Sequence, residues 1–157
     1  IVYGGSSRKQ KKNFQIGNKI LFHWKSKGEN RPGYFNIELL NSIMPLFFDD
    51  KKRSASILSA SSILKILLPE RQINQNIYYA FEKMLSDLKS ENWINLYIHW
   101  ELSLIKELGF ETVVKENFSE DTKKALSFNR NLLMENFIIP NRLKFPLFRN
   151  ILENYFL

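Results

Sequence analysis

The stretch NWINLYIHWELSLIKELG, Asn92 to Gly109, decides how this chain is read. At 100° per residue only one stripe of it is polar, made by Asn95, His99, Ser103 and Lys106. Ile94, Ile98, Ile105 and Leu108 cluster on the opposite side. So apolar a circumference predicts a helix over 93–108 that is buried on most sides. Asn92 is placed to cap its start, and Gly109 stands where a left-handed residue ends a helix. Glu101 falls in the middle of the apolar cluster. Burying a bare carboxylate costs on the order of several kcal/mol, so a structural role with a basic or backbone partner is expected, Arg71, Arg130 and Arg142 being the candidates. A catalytic glutamate is the competing reading, and it is disfavoured because no second catalytic group is in view.

The same periodicity extends outward. A helix is expected over 54–68 with Ile57, Ala60, Leu64 and Leu67 on one stripe, ended by Pro69. Another over 73–89 sets Ile77, Phe81, Met84, Leu85 and Leu88 inward, with Glu82, Lys83 and Asp87 outside. Beyond Gly109, Ser119 is placed to cap a helix reaching Phe137, with Leu126, Leu133 and Phe137 inward and Pro140 closing it. A last helix over 144–156 points Phe148, Ile151, Leu152 and Tyr155 at the core.

Upstream of Pro45 and the polar run Asp49 to Arg53 the pattern changes from helical to strand-like. Lys19 to Ser26 alternates, with Ile20, Phe22 and Trp24 on one face and Leu21, His23 and Lys25 on the other. After a loop from Lys27 to Gly33, Phe35, Ile37 and Leu39 alternate with Asn36 and Glu38, predicting an antiparallel pair. Gly17-Asn18 predicts a turn ahead of the first strand, and Gly4 to Asn13 reads as a flexible basic loop. Ile1-Val2-Tyr3 before Gly4-Gly5 reads as the end of a strand entering a turn, so earlier sheet elements are expected upstream. The expected fold is α+β: a partial OB-type antiparallel β-barrel over 1–48, then an all-α helical domain over 49–157.

Charge separates the two parts. Arg8, Lys9, Lys11, Lys12, Lys19, Lys25, Lys27 and Arg31 face Glu29 alone, so residues 1–31 hold the whole excess of +7, and the other fifteen bases and fifteen acids cancel. Those eight cations, together with Phe14 as a base-stacking ring, are the candidate DNA-binding residues, because phosphate attraction beside aromatic rings suits single strands. A solvated basic surface is the plainer alternative. Trp24, sharing a strand face with Ile20 and Phe22, is expected in the core rather than against bases. No apolar run approaches the roughly 20 residues of a membrane span and no secretion signal opens the chain, so the cytoplasm is the expected compartment. Without cysteine there is no disulfide, thiolate nucleophile or cysteine-ligated zinc, and His23 and His99 lie far apart, so no metal or other cofactor is expected.

Three segments together resemble the RecO family of bacterial recombination mediators. They are Val2-Tyr3-Gly4-Gly5-Ser6-Ser7-Arg8 with Gln15-Ile16-Gly17-Asn18 and Trp24-Lys25; Leu67-Leu68-Pro69-Glu70-Arg71; and Trp100-Glu101-Leu102 running to Glu107-Leu108-Gly109-Phe110. The resemblance implies an N-terminal oligonucleotide-binding barrel and a helical domain that bind single- and double-stranded DNA and anneal strands. It implies a nucleoid-associated role, with RecR as partner in loading RecA and the acidic C-terminal tail of single-stranded-DNA-binding protein as a further partner. Some members carry a four-cysteine zinc module after the central helix. Here Phe110 leads into the cysteine-free segment Glu111 to Glu120.

A non-enzymatic DNA-binding mediator is therefore the leading expectation. A helical adaptor for an acidic protein tail, with the basic loop incidental, is the second. A hydrolase is the weakest, since Asp49-Asp50 and Glu120-Asp121 lie beside lysines in apparent linkers and adjacent acids rarely converge on one metal.

Overall fold

The alternation in residues 19–41 folds as two antiparallel strands, β1 (Lys19–Lys25) and β2 (Tyr34–Asn41), in a computed structural model that describes residues 14–28, 33–70, 72–110 and 121–157. Trp24 pairs with Phe35, Phe22 with Ile37 and Ile20 with Leu39, so these six apolar residues share one face, as a period of two requires. Gly17 takes φ of 86° and the Asn18 N–H donates to the Gln15 carbonyl at 3.1 Å, closing the turn ahead of β1. Among the described residues the sheet has two strands and stays open. The fold class is α+β, and no closed barrel lies among the described residues. The chain divides into two compact units, Ile1–Asp50 and Lys51–Leu157.

Five helices make up the described part of the second unit: α1 (Lys51–Leu67), α2 (Gln75–Asp87), α3 (Trp93–Glu107), α4 (Thr122–Leu133) and α5 (Leu147–Asn154). Helix α1 begins earlier than expected, because Arg53 is anchored rather than part of a solvated linker. Its Nε donates to the Leu88 carbonyl at 2.6 Å, its Nη2 to the Ser90 carbonyl at 3.1 Å, and its guanidinium lies 5.3 Å from the Trp93 ring centroid. A cation on the carbonyl end of α2 satisfies groups that the helix itself leaves open. Asp121 caps α4 by accepting from the Lys124 N–H at 3.0 Å, whereas Ser119, expected in that role, lies outside the described residues. Past Leu133 the chain winds into a π turn over Met134–Ile138, where the Ile139 N–H reaches back to the Met134 carbonyl at 2.9 Å. Pro140 follows at once, and the clash of its ring with the carbonyl four residues back widens that turn.

Helix α3 keeps most of its predicted sides: His99, Ser103 and Lys106 are exposed and Ile98 and Ile105 are buried with Trp93, Tyr97, Trp100, Leu102 and Leu104, while Asn95 of the polar stripe and Ile94 and Leu108 of the apolar cluster are half-buried. Asn92 does not cap its first turn, and its side-chain oxygen accepts from Asn95 Nδ2 instead. At the other end Gly109 has φ of 94°, its N–H donates to the Lys106 carbonyl at 2.9 Å, and the Phe110 N–H donates to the Ile105 carbonyl at 3.3 Å. These paired bonds are the Schellman closure, which needs a left-handed residue at that position.

Glu101 is 1% exposed, and its partner is Arg149 on α5, 0% exposed. Nε of Arg149 meets Oε1 at 2.6 Å and Nη2 meets Oε2 at 3.3 Å. Tyr97 donates its hydroxyl to Oε1 at 2.8 Å, and Asn129 Nδ2 on α4 donates to Oε2 at 3.0 Å. A carboxylate only accepts, so the Tyr97 proton points at Glu101 and the Ser59 hydroxyl on α1, 2.7 Å away, donates to Tyr97. Arg149 also donates to the Leu126 carbonyl at 2.8 Å and to Glu153 at 3.3 Å, and Glu153 binds Arg130 at 3.1 Å. Polar groups from α1, α3, α4 and α5 thus meet in one buried cluster.

None of the three arginines favoured from the sequence fills this place. Arg130 pairs one step out, through Glu153; Arg142 is exposed with φ of 53°; and Arg71 lies outside the described residues. Helix α5 is accordingly turned from its expected orientation. Arg149, Leu152 and Glu153 face inward and Tyr155 is 38% exposed, because pairing with Glu101 fixes the rotation more strongly than the apolar stripe does.

Two outcomes follow. Gly109→Ala leaves room for its Cβ but forces a left-handed backbone on alanine, so urea denaturation should show a loss of about 1 kcal/mol. Burial, and after it the Glu101 carboxylate, raise the Tyr97 phenol well above its ordinary 10.0. Below pH 10 it is neutral in both folded and unfolded chains; above that pH the unfolded chain ionises first, so stability falls. Tyr97→Phe should lower stability at neutral pH by about 1–3 kcal/mol and make its decline above pH 10 shallower, both read by denaturation across a pH series.

Candidate nucleic-acid interface

Strand periodicity sorts the basic and aromatic side chains of the first unit onto opposite faces. Lys19 and Lys25 both fall on the Leu21 and His23 face of β1, at its two ends and about 20 Å apart at the rise of a strand. Lys25 is exposed, and Lys27, just past the strand, holds its ammonium 5.3 Å from the Tyr34 ring centroid. Phe14 is 42% exposed. Arg8, Lys9, Lys11, Lys12 and Arg31 lie outside the described residues. Of the nine candidate DNA-binding positions the structure therefore describes Phe14, Lys19, Lys25 and Lys27, and it brings Lys25 and Lys27 together at the hairpin end of β1.

The other face corrects one expectation. Trp24 is 53% exposed and Phe22 58%, where burial in a core was expected for Trp24. Its ring nevertheless sits in a defined place: the Phe35 ring centroid is 4.7 Å away, and a Cβ built on Gly33 would come within 2.2 Å of the indole, so only glycine admits the ring there. Phe22 meets Phe35 edge to face at 5.5 Å. Alternation reported which residues share the face, but two strands cannot by themselves cover it. The aromatic row was thus legible as a row and not as a surface.

In the helical unit an open groove of about 170 Å³ runs between α2 and α3. Met84, Leu96 and Trp100 give it an apolar floor, with Lys83, His99 and Ser103 at its rim. Lys83 is tied to Asp87 at 2.7 Å. Among the described residues no group of three or more His, Cys, Asp or Glu is placed to hold a metal ion, and no helix is long and apolar enough to cross a membrane.

Among the described residues, five helices following a small basic strand pair define a two-unit α+β protein, and the helical unit says which. Residues 49–127, just over half of the chain, match the family model described as Recombination protein O C terminal, and the chain belongs to the RecO family. Relatives called DNA repair protein RecO extend the match. The one from Wolbachia sp. subsp. Drosophila simulans (strain wRi) is 35% identical, over 73% of this chain and 53% of its own length. That of Jannaschia sp. (strain CCS1) is 28% identical, over 82% and 52%, and that of Wolbachia pipientis wMel is 34% identical, over 73% and 53%. The chain spans about half the length of the curated relatives it matches. No solved structure matches it. The family match ends at residue 127, so Asn129, Arg149 and Glu153 of the buried cluster lie beyond it.

Proposed function

We propose that this chain is the nucleic-acid-binding part of a DNA repair mediator: it binds single-stranded DNA, anneals complementary strands and, with RecR, helps load RecA. The observation that carries the reading is the concentration of the whole +7 excess in residues 1–31 of a chain belonging to the RecO family. Arg8, Lys9, Lys11 and Lys12 neutralise phosphates, and Lys19, Lys25, Lys27 and Arg31 extend that field. Annealing needs no base contact, since a basic surface that screens the repulsion between two backbones speeds their pairing. The activity is non-enzymatic, and the strand pair forms part of an oligonucleotide-binding barrel whose boundary with the helical domain falls near residue 48. The protein works in the bacterial cytoplasm, on single- and double-stranded DNA.

A second reading is favoured by the groove between α2 and α3. Its apolar floor suits the apolar end of a protein tail, such as that of single-stranded-DNA-binding protein, with His99 and the paired Lys83 and Asp87 beside it. On that reading the helical unit is an adaptor and its tail binding persists when DNA binding is lost.

Changing Arg8, Lys9, Lys11 and Lys12 together to alanine should weaken binding of a labelled single-stranded oligonucleotide and flatten the dependence of log affinity on log salt by up to about three units. An unchanged slope would remove the loop from the interface, and tail binding without DNA binding would leave the adaptor in its place.

A further inference from the structure

Lysines hold their charge throughout the physiological pH range, and one side chain beside them does not. The alternation that gathers the apolar row on one side of the strand pair sends His23 to the other, together with Lys25 of β1 and Asn36 and Glu38 of β2. A barrel closed over the apolar row leaves this polar side facing water. His23 is exposed there, opposite Asn36, and Lys25 follows two residues along the strand, about 7 Å away at the strand rise. Lys25 pairs with Tyr34, whose ring centroid lies 5.3 Å from the Lys27 ammonium, so Lys27 reaches the same side.

We infer that His23 is a proton-dependent phosphate contact: protonated, it joins Lys25 and Lys27 as a third cation, and neutral, it leaves them as a pair. This rests on the nucleic-acid reading of the same unit and adds to it a dependence on pH. Histidine is the side chain whose ordinary titration falls between pH 5 and 8, whereas lysines and carboxylates keep their charge from pH 6 to 8. The charges facing the imidazole set the balance. Lys19 and Lys25 on β1 and Lys27 beyond it oppose a further positive charge, while Glu38, opposite Leu21 and diagonal to His23, favours one; Tyr34 and Asn36 are the neutral neighbours. A phosphate arriving among them adds a negative charge, so binding draws a proton onto the imidazole. By reciprocity a proton already there strengthens binding, and affinity rises as pH falls.

The test is binding of a labelled oligothymidylate to the full chain from pH 6 to pH 8 at fixed salt. Affinity should be about two- to fivefold higher at pH 6, the range of one exposed ion pair, and the dependence of log affinity on log salt should be steeper there by about 0.7. His23→Gln should flatten the pH profile, His23→Lys should hold the higher affinity at pH 8, and His99→Gln should leave the profile unchanged. The chain has two histidines, so their imidazole NMR signals give a second readout. At pH 7 the oligonucleotide should move the His23 signal toward its protonated position and leave that of His99 in place. Binding with a flat pH profile in the unmodified chain, or a profile that survives His23→Gln, overturns the inference and leaves the nucleic-acid reading standing. No binding at any pH overturns both.

Discussion

The helical unit depends on one buried ion pair. Taking a carboxylate and a guanidinium out of water costs several kcal/mol each, an order of magnitude that attraction repays only when every donor and acceptor finds its place. Here Glu101 accepts four hydrogen bonds, two from Arg149, one from Tyr97 and one from Asn129, and Arg149 spends further donors on Leu126 and Glu153. Burial is the strongest single influence on Arg149 and opposes its charge. The opposing pull of Glu101, Tyr97 and Glu153 outweighs it, so the pKa lies above that of an ordinary arginine. The bonds of this cluster form only when α1, α3, α4 and α5 are all in place, a condition on the packing of four helices at once, and they leave Asn129 Oδ1 buried without a partner. Apolar contacts alone tolerate sliding; this cluster does not.

The strand unit is under a looser constraint. Among the described residues its apolar face carries Phe22 and Trp24 more than half exposed, and what orders that face is the register of two strands, one glycine contact and an aromatic row. Two-stranded sheets are marginal by themselves in water. Charge is concentrated in residues 1–31, so the strongest field for a polyanion lies on this side of the chain.

What the sequence made legible follows from what periodicity measures. Apolar residues at helical or strand spacing report which side is buried, and so α3, the inward residues Ile77, Met84, Leu85 and Leu88 of α2, and the pairing of β1 with β2 could be read directly. Gly109 was readable for a different reason, as its left-handed φ has few other occupants. Burial through pairing leaves no such mark. Glu101 betrayed itself by interrupting an apolar cluster, but Arg149 sits among Phe148, Ile151 and Leu152 in a helix that looks amphipathic without it, and opposite charges four residues apart at Arg149 and Glu153 resemble a solvated pair. Distance along the chain hid the partner as well, since 48 residues separate Glu101 from Arg149. Trp24 failed in the opposite direction: alternation gave its face correctly but carries no information on whether anything covers that face.

The ion pair is tested most directly by a double-mutant cycle on the full chain, with Glu101→Leu, Arg149→Met and both together, followed by urea denaturation. If the pair holds the helical unit in register, each single change leaves a buried charge unmatched and costs about 3–5 kcal/mol, while the double change costs far less than the sum. Small losses in the single variants, or losses that simply add, would contradict it and return the stability of the unit to its apolar contacts.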